Sequence, residues 1–340
     1  HLRRRNDRPH YSAEHHHSSA SFRDVYIHTA VTMSSSKCEK GAAVNGYRSD
    51  TYGVAKCVEL YDAAVAPVAP AIAALLDSFQ SAFLGEPAEE ESGARHRRQF
   101  IDVGCGSGSF TLKHLIPRLP PWCEKLVAVD NSPSMLKFAR ENRSHPKIQY
   151  RELDMLADQD VAEFVQTEGR FQRVYSFLAL HWIADHRHAL RNIEALTAPG
   201  GECFLAFSNN LGVFDVFTAM LNSARWSKYS DVLLRVLPET RDMHDIGSLR
   251  AHLVNVVRAT NLLPLACEVF RLTGDLGLDK DTALDFYCIL NPVYPLLNDD
   301  ERAELRSFTK DVMQDFTKRR TGIPIREHNT LVIHAFKPRE

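Results

Sequence analysis

Three glycines alternate with other residues in Asp102-Val-Gly104-Cys-Gly106-Ser-Gly108, between a short apolar run and a helical pattern. Glycine has no Cβ, so the chain can turn sharply there and a ligand can press on the main chain. An acid stands two residues before the first glycine. Two more stand at the ends of the next two apolar runs: Asp130, followed by Asn131, and Asp154, followed by Met155. A carboxylate at the second strand end can accept from two ribose hydroxyls, and one at the third from an adenine amino group. The set reads as a site for an adenosine-bearing ligand. Asp130 also suits a dinucleotide, but the spacing is G-x-G-x-G, not the G-x-G-x-x-G of dinucleotide sites.

A fourth apolar run, from Phe171, leads into Ser176-Phe177-Leu-Ala-Leu-His181-Trp182. Ser176 and Phe177 are expected where the reacting end of the ligand meets its acceptor. His181 and Trp182 follow on the loop. A titratable ring and a large aromatic suit an acceptor site. Structural roles are open to both, with Trp182 packing the next helix and His181 capping it. His181, His186 and His188 match no common metal spacing, and no cysteine or acid pair completes a set, so no metal is expected.

These positions need a scaffold of alternating strands and helices. Strands are predicted over 99–103, 125–129, 147–153, 171–178 and 202–207, and helices over 109–119, 134–142, 161–168 and 186–196. Pro199-Gly200-Gly201 reads as a turn. Further on, helices are predicted over 213–223, 246–259, 282–290 and 299–317, and strands over 265–272 and 329–337. This alternation implies an α/β fold: a doubly wound, mostly parallel seven-stranded sheet with helices on both faces. A helical segment over 50–84 precedes it, joined by a polar linker over 85–98. The main domain spans 99–340, with helical cap insertions around 211–229 and 279–320. Residues 1–49 read as a leader or tail, with Met33 as the expected start.

Bulk composition narrows the function. Hydrophobic residues make up 44% and charged residues 25%, as in ordinary globular chains. A net charge of −2 offers no footprint for nucleic acid or an anionic membrane. No run approaches the ~18 apolar residues of a membrane span. The seven cysteines include no C-x-x-C pair, which fits a reducing compartment and a cytoplasmic protein. No protein partner is evident.

The glycine turn with Asp130 and Asp154 on successive strand ends resembles the class I methyltransferase family, which implies S-adenosyl-L-methionine as cofactor. The loop lacks the Pro-Pro-aromatic motif of some amino-methylating members. More closely, the chain resembles the juvenile hormone acid methyltransferase family from about Tyr52 to Pro338. The likeness lies in the glycine motif, Phe177-Leu-Ala-Leu-His-Trp182, Leu196-Thr-Ala-Pro-Gly-Gly201, Phe214-Asp-Val-Phe217, Arg225-Trp-Ser-Lys-Tyr229 and Leu290-Asn-Pro-Val-Tyr-Pro295. That resemblance implies methylation of a terpenoid carboxylate such as farnesoic or juvenile hormone acid. It implies that Asp102, Gly104, Asp130, Asp154 and Met155 hold the cofactor, and the motifs themselves add Gly106, Gly108, Asn131, Ser176 and Phe177 to the expected cofactor site. It also implies that His181, Trp182, Phe214 and an N-terminal helix face the acceptor. In the family that helix reads Tyr-x3-Asn-x2-Gln-x2-Asp-Ala, and its glutamine holds the carboxylate. Here the run is Tyr52-x3-Lys56-x2-Glu59-x2-Asp62-Ala63, so Glu59 is expected to repel a carboxylate unless Lys56 pairs with it. Two other readings stay open: another small acceptor with His181 as base, and a catalytically silent cofactor-binding subunit.

Overall fold

The computed structural model describes residues 56–86, 98–273, 278–319 and 327–339. The predicted leader over 1–49 and most of the 85–98 linker lie outside the described residues.

The strands are β1 (Gln99–Val103), β2 (Lys125–Asp130), β3 (Ile148–Glu152), β4 (Phe171–Phe177), β5 (Thr197–Ser208), β6 (Leu263–Thr273) and β7 (Glu327–Phe336). They form one sheet in the order β3-β2-β1-β4-β5-β7-β6. The first five run parallel. β7 lies antiparallel between β5 and β6. Every residue of β1 and β4 is buried, as a sheet covered on both faces requires. Strand order reverses at β1, between β2 and β4, so a crevice opens beyond their carboxyl ends.

Alternate residues of each strand feed two cores. Ile101, Val127 and Val174 face α4 (Asp158–Glu168), α5 (His186–Leu196) and α8 (Ile246–Arg258). Phe100, Leu126 and Tyr175 face α2 (Ala69–Phe79) and α3 (Pro133–Asn142). A third core joins α1 (Cys57–Val65) with α6 (Gly212–Leu221), α7 (Ser230–Leu234), α9 (Lys280–Ile289) and α10 (Asp299–Arg319). No single described helix is long and apolar enough to cross a membrane. Local chemistry sets the helix starts. Ser132 accepts from the Met135 amide with Pro133 at the first helical position, and Asp185 and Asp245 accept from the His188 and Ser248 amides.

Three segments differ from expectation. The predicted 50–84 helix is, where described, two helices bent by 55°. Pro67 and Pro70 flank the break, where a proline cannot donate to the helical ladder. The predicted 109–119 helix is wound as a π turn over Thr111–Leu115 and a 3₁₀ turn over Ile116–Arg118. The Pro199-Gly200-Gly201 turn is instead an irregularity inside β5. Pairing with β4 jumps from Phe171–Thr197 to Arg173–Glu202. Gly200 takes φ +73° there, and its amide donates to the Lys337 carbonyl.

A buried ionic cluster ties the N-terminal helices to the sheet. Arg173 Nε donates to Glu202 Oε1 at 2.8 Å, and His334 Nε2 lies 2.9 Å from Glu202 Oε2. Arg173 Nη2 donates to the Leu84 carbonyl, while the Leu84 amide donates back to Glu202. The guanidinium also stacks 4.3 Å from the Phe83 ring centre. Arg173 and Glu202 side chains are 3% and 1% exposed, so loss of either charge strands the other. Glu202→Gln is expected to cost about 3–5 kcal/mol, read as a lower denaturant midpoint. An unchanged midpoint would show that the cluster does not hold the fold.

Candidate active site

The crevice beyond β1 is built by the glycine turn. Gly104, Gly106 and Gly108 all have positive φ. A Cβ at Gly104 would sit 2.3 Å from that of Ala179, so the β1 turn and the loop after β4 touch only because glycine stands there. At Gly106 the nearest atom to a Cβ would be on the Tyr61 ring at 3.8 Å, an ordinary contact, and this glycine lines a cavity. The turn is closed onto β2. The Gly104 and Cys105 amides both donate to the Val129 carbonyl, and the Gly106 amide donates to Asp130 Oδ2 at 2.8 Å. Asp130 Oδ1 accepts from the Ser132 amide.

Two adjoining cavities lie here. The first is lined by Gly104, Gly106, Ser107, Phe177 and, from α1, Asp62. The second is lined by apolar side chains of α1, α6 and α9, among them Ala64, Val213, Phe286 and Leu290, with His181 and Trp182. Tyr61, Val65 and Leu178 line both.

Several predicted residues support the wall instead of forming it. Asp102 is buried beneath the turn, accepts from the Thr111 hydroxyl at 2.6 Å, and is pushed up to about 7 by burial. Ser176 donates to the Val103 carbonyl. Met155 packs in the α4–α5 core, and Asn131 is exposed. Asp154 is half-buried at the end of β3 and accepts from the Leu156 amide. Gly108 packs on the Tyr150 hydroxyl. Phe177, by contrast, does line the first cavity and packs tilted against Phe110 with ring centres 4.6 Å apart.

In the wall of the apolar cavity, His181 is 4% exposed and Trp182 is half-buried. His181 Nδ1 and Trp182 Nε1 are both buried without a hydrogen-bond partner. Burial and the neighbouring His186 push the His181 imidazole down to about 3. Neither residue takes the predicted structural role: Asp185 caps α5, and the Trp182 ring stands edge-on to Phe214 at 5.4 Å. Phe214 itself is 1% exposed in the cap core and reaches the cavity only through Trp182.

Glu59 is a correction. It is exposed on α1 and lines neither cavity. A helix turns about 100° per residue, so Tyr61, two positions on, faces nearly opposite to Glu59 and into the site. Asp62 accepts from the Ser107 hydroxyl and from Arg143 Nη2, which pins α1 over the glycine turn. Burial and Asp130 raise the Tyr61 phenol well above its usual range, so it stays protonated.

Sequence reasoning passed over Tyr61 and Leu178. Tyr61 carried a signal, since it lies within the N-terminal motif. Leu178 carried none: it adopts φ +54°, rare for a side-chain-bearing residue, where β4 ends between the cavities. The glycine cradle, the Asp130 carboxylate and the cavity at Gly106 fit the adenosyl cofactor expected from the sequence.

Gly104→Ala is expected to weaken both folding and cofactor binding. Adding Ala179→Gly removes the clash and should restore most of the loss, leaving roughly the 1–2 kcal/mol of positive-φ strain. Equal losses in the single and double variants, measured by denaturation and calorimetry, would refute the contact.

Residues 101–205 match the family described as a methyltransferase domain. A juvenile hormone acid O-methyltransferase of Bombyx mori is 28% identical over 218 residues, 64% of this chain and 70% of that protein. Another, of Drosophila melanogaster, is 33% identical over 131 residues, 38% of this chain and 43% of that protein. A trans-aconitate 2-methyltransferase of Variovorax paradoxus is 32% identical over 225 residues, 59% of this chain and 81% of that protein. With relatives of that identity and span matched onto this strand order and glycine turn, the chain belongs to the class I S-adenosylmethionine-dependent methyltransferases and is similar among them to the juvenile hormone acid O-methyltransferases.

Proposed function

We propose that the acceptor is the carboxylate of a small, elongated apolar acid, a terpenoid acid such as farnesoic or juvenile hormone acid. One observation carries this reading. An apolar cavity adjoins the glycine turn, and its wall holds two buried ring nitrogens without partners, His181 Nδ1 and Trp182 Nε1. Buried polar groups need partners, and a carboxylate offers acceptor oxygens to Trp182 and to His181 in its Nδ1–H form. The relatives' names point the same way, to juvenile hormone acid, trans-aconitate and malonyl-acyl-carrier-protein.

Bound S-adenosylmethionine supplies an electrophilic methyl group on a sulfonium. The chain's task is to position the acceptor. Tyr61 and Leu178 stand where the two cavities meet and align one with the other. Alignment of this kind can contribute about 7–11 kcal/mol. A carboxylic acid with a pKa of about 4–5 is already ionised at neutral pH and needs no base. The depressed basicity of His181 fits that requirement and weakens the alternative in which His181 takes a proton. The apolar wall and the α1 cover keep water from the nucleophile. The described cysteines are buried and none of them forms a disulfide, in keeping with a reducing compartment.

Incubating the full chain with methyl-labelled cofactor and farnesoic acid is expected to give volatile, base-labile counts. Absence of methyl ester with cofactor binding intact would overturn the acceptor assignment. With the Asp102 titration near 7 removed by Asp102→Asn, the rate should stay nearly flat from pH 8 down to about 5.5, because neither the acid nor His181 titrates there. A fall centred near pH 6.5 would instead mark a histidine base.

Trp182→Phe keeps the ring but loses the N–H. It is expected to lower kcat/KM for the acid about 10–100-fold, as for one hydrogen bond to a charge, with cofactor affinity unchanged. An unaltered kcat/KM would remove Trp182 from carboxylate binding.

A further inference from the structure

His186 opens α5, and His252 lies on α8, yet His186 Nδ1 and His252 Nε2 are 3.0 Å apart. Glu239, in the turn before α8, places Oε1 3.8 Å from His252 Nε2. One donor atom from each of the three lies within 4.8 Å of the others. Tetrahedral zinc with bonds of about 2.0–2.1 Å holds its donor atoms roughly 3.3 Å apart. The imidazole pair is near that separation already, and the Glu239 carboxylate, 3.8 Å from His252 Nε2 and within 4.8 Å of His186 Nδ1, has gaps of at most about 1.5 Å to close.

The surroundings suit a ligand set. His186 Nε2 lies 3.1 Å from the Leu180 carbonyl. A carbonyl only accepts, so the proton sits on Nε2 and Nδ1 turns a lone pair toward His252. A backbone carbonyl behind an imidazole is the usual means of orienting a metal-binding histidine. The Phe207 ring, 5.0 Å from that of His186, excludes water on one side. His186 and His252 are buried, while the half-exposed Glu239 gives an entry path. Asp185 and Arg187 add opposite charges beside the pair.

We propose that His186, His252 and Glu239 form a zinc site, with water as the fourth ligand. It joins α5, α8 and the turn before α8, and through the Leu180 carbonyl it braces the 3₁₀ turn that presents His181 and Trp182. It does not depend on the acceptor's identity. Sequence spacing hid it, because His252 lies 66 residues from His186.

The test is zinc titration by calorimetry on the full chain. His15, His16 and His17 are replaced by alanine so that this tract contributes no binding. A single zinc per chain is expected, and the cobalt(II) form should show the intense visible absorption of tetrahedral coordination. Glu239→Gln, at a half-exposed position that the fold tolerates, should weaken zinc binding at least about tenfold, and His252→Gln should abolish it. No zinc uptake, or uptake unaffected by either substitution, would overturn the proposal and leave a hydrogen-bonded histidine pair.

Discussion

The active site rests on the closure of the glycine turn onto β2. One backbone carbonyl, that of Val129, takes the amides of both Gly104 and Cys105, and one carboxylate, Asp130, takes that of Gly106. These bonds fix the turn in positive φ, which only glycine adopts at little cost. From that fixed turn two contacts radiate. Gly104 abuts Ala179 and so locates the loop with His181 and Trp182. Ser107 reaches Asp62 and so locates α1 as a cover. Both cavity walls and the α1 cover are each one contact away from the segment Gly104-Cys105-Gly106-Ser107.

Polar groups are treated in opposite ways in two parts of the molecule. At the Arg173–Glu202–His334 cluster every buried charge has partners. At the apolar cavity, two ring nitrogens are buried and left without them. A buried unsatisfied donor costs roughly 1–3 kcal/mol, a cost that the proposed carboxylate acceptor would relieve. Stability is invested in the first place and withheld in the second. The cap follows the same division. Phe214, Phe217 and Met220 fill its own core, while Val213, Phe286 and Leu290 of the same layer line the cavity.

Much of this was legible in the sequence. Strand and helix alternation from Gln99 to Ser208 is a strong periodic signal, and the glycine turn with its acids marks the crevice. Roles that depend on side-chain direction were not legible. Asp102 and Ser176 lie in the right motif but turn beneath it, toward Thr111 and the Val103 carbonyl. Glu59 aligned with a family position yet lies on the outer face of α1. The Gly200-Gly201 pair read as a turn because glycine signals positive φ without saying whether the chain reverses or merely bulges. Leu178 left no trace, since its backbone is held by tertiary contacts, among them its amide's hydrogen bond to the Ala206 carbonyl of β5.

The place of β7 bears on how the chain reaches this state. β7 lies between β5 and β6, so the sheet cannot close until this strand, the seventh in sequence, has been made. His334, on that strand, is also a partner of Glu202, whose carboxylate meets Arg173 and the Leu84 amide from ahead of β1. During vectorial synthesis the cofactor half can pair β1 to β4 early, with short loops and modest entropy loss. The ionic cluster is completed only when His334 arrives on β7. The finished molecule is therefore sealed by contacts of very long sequence separation, and its half-made form exposes the β5 edge to other chains.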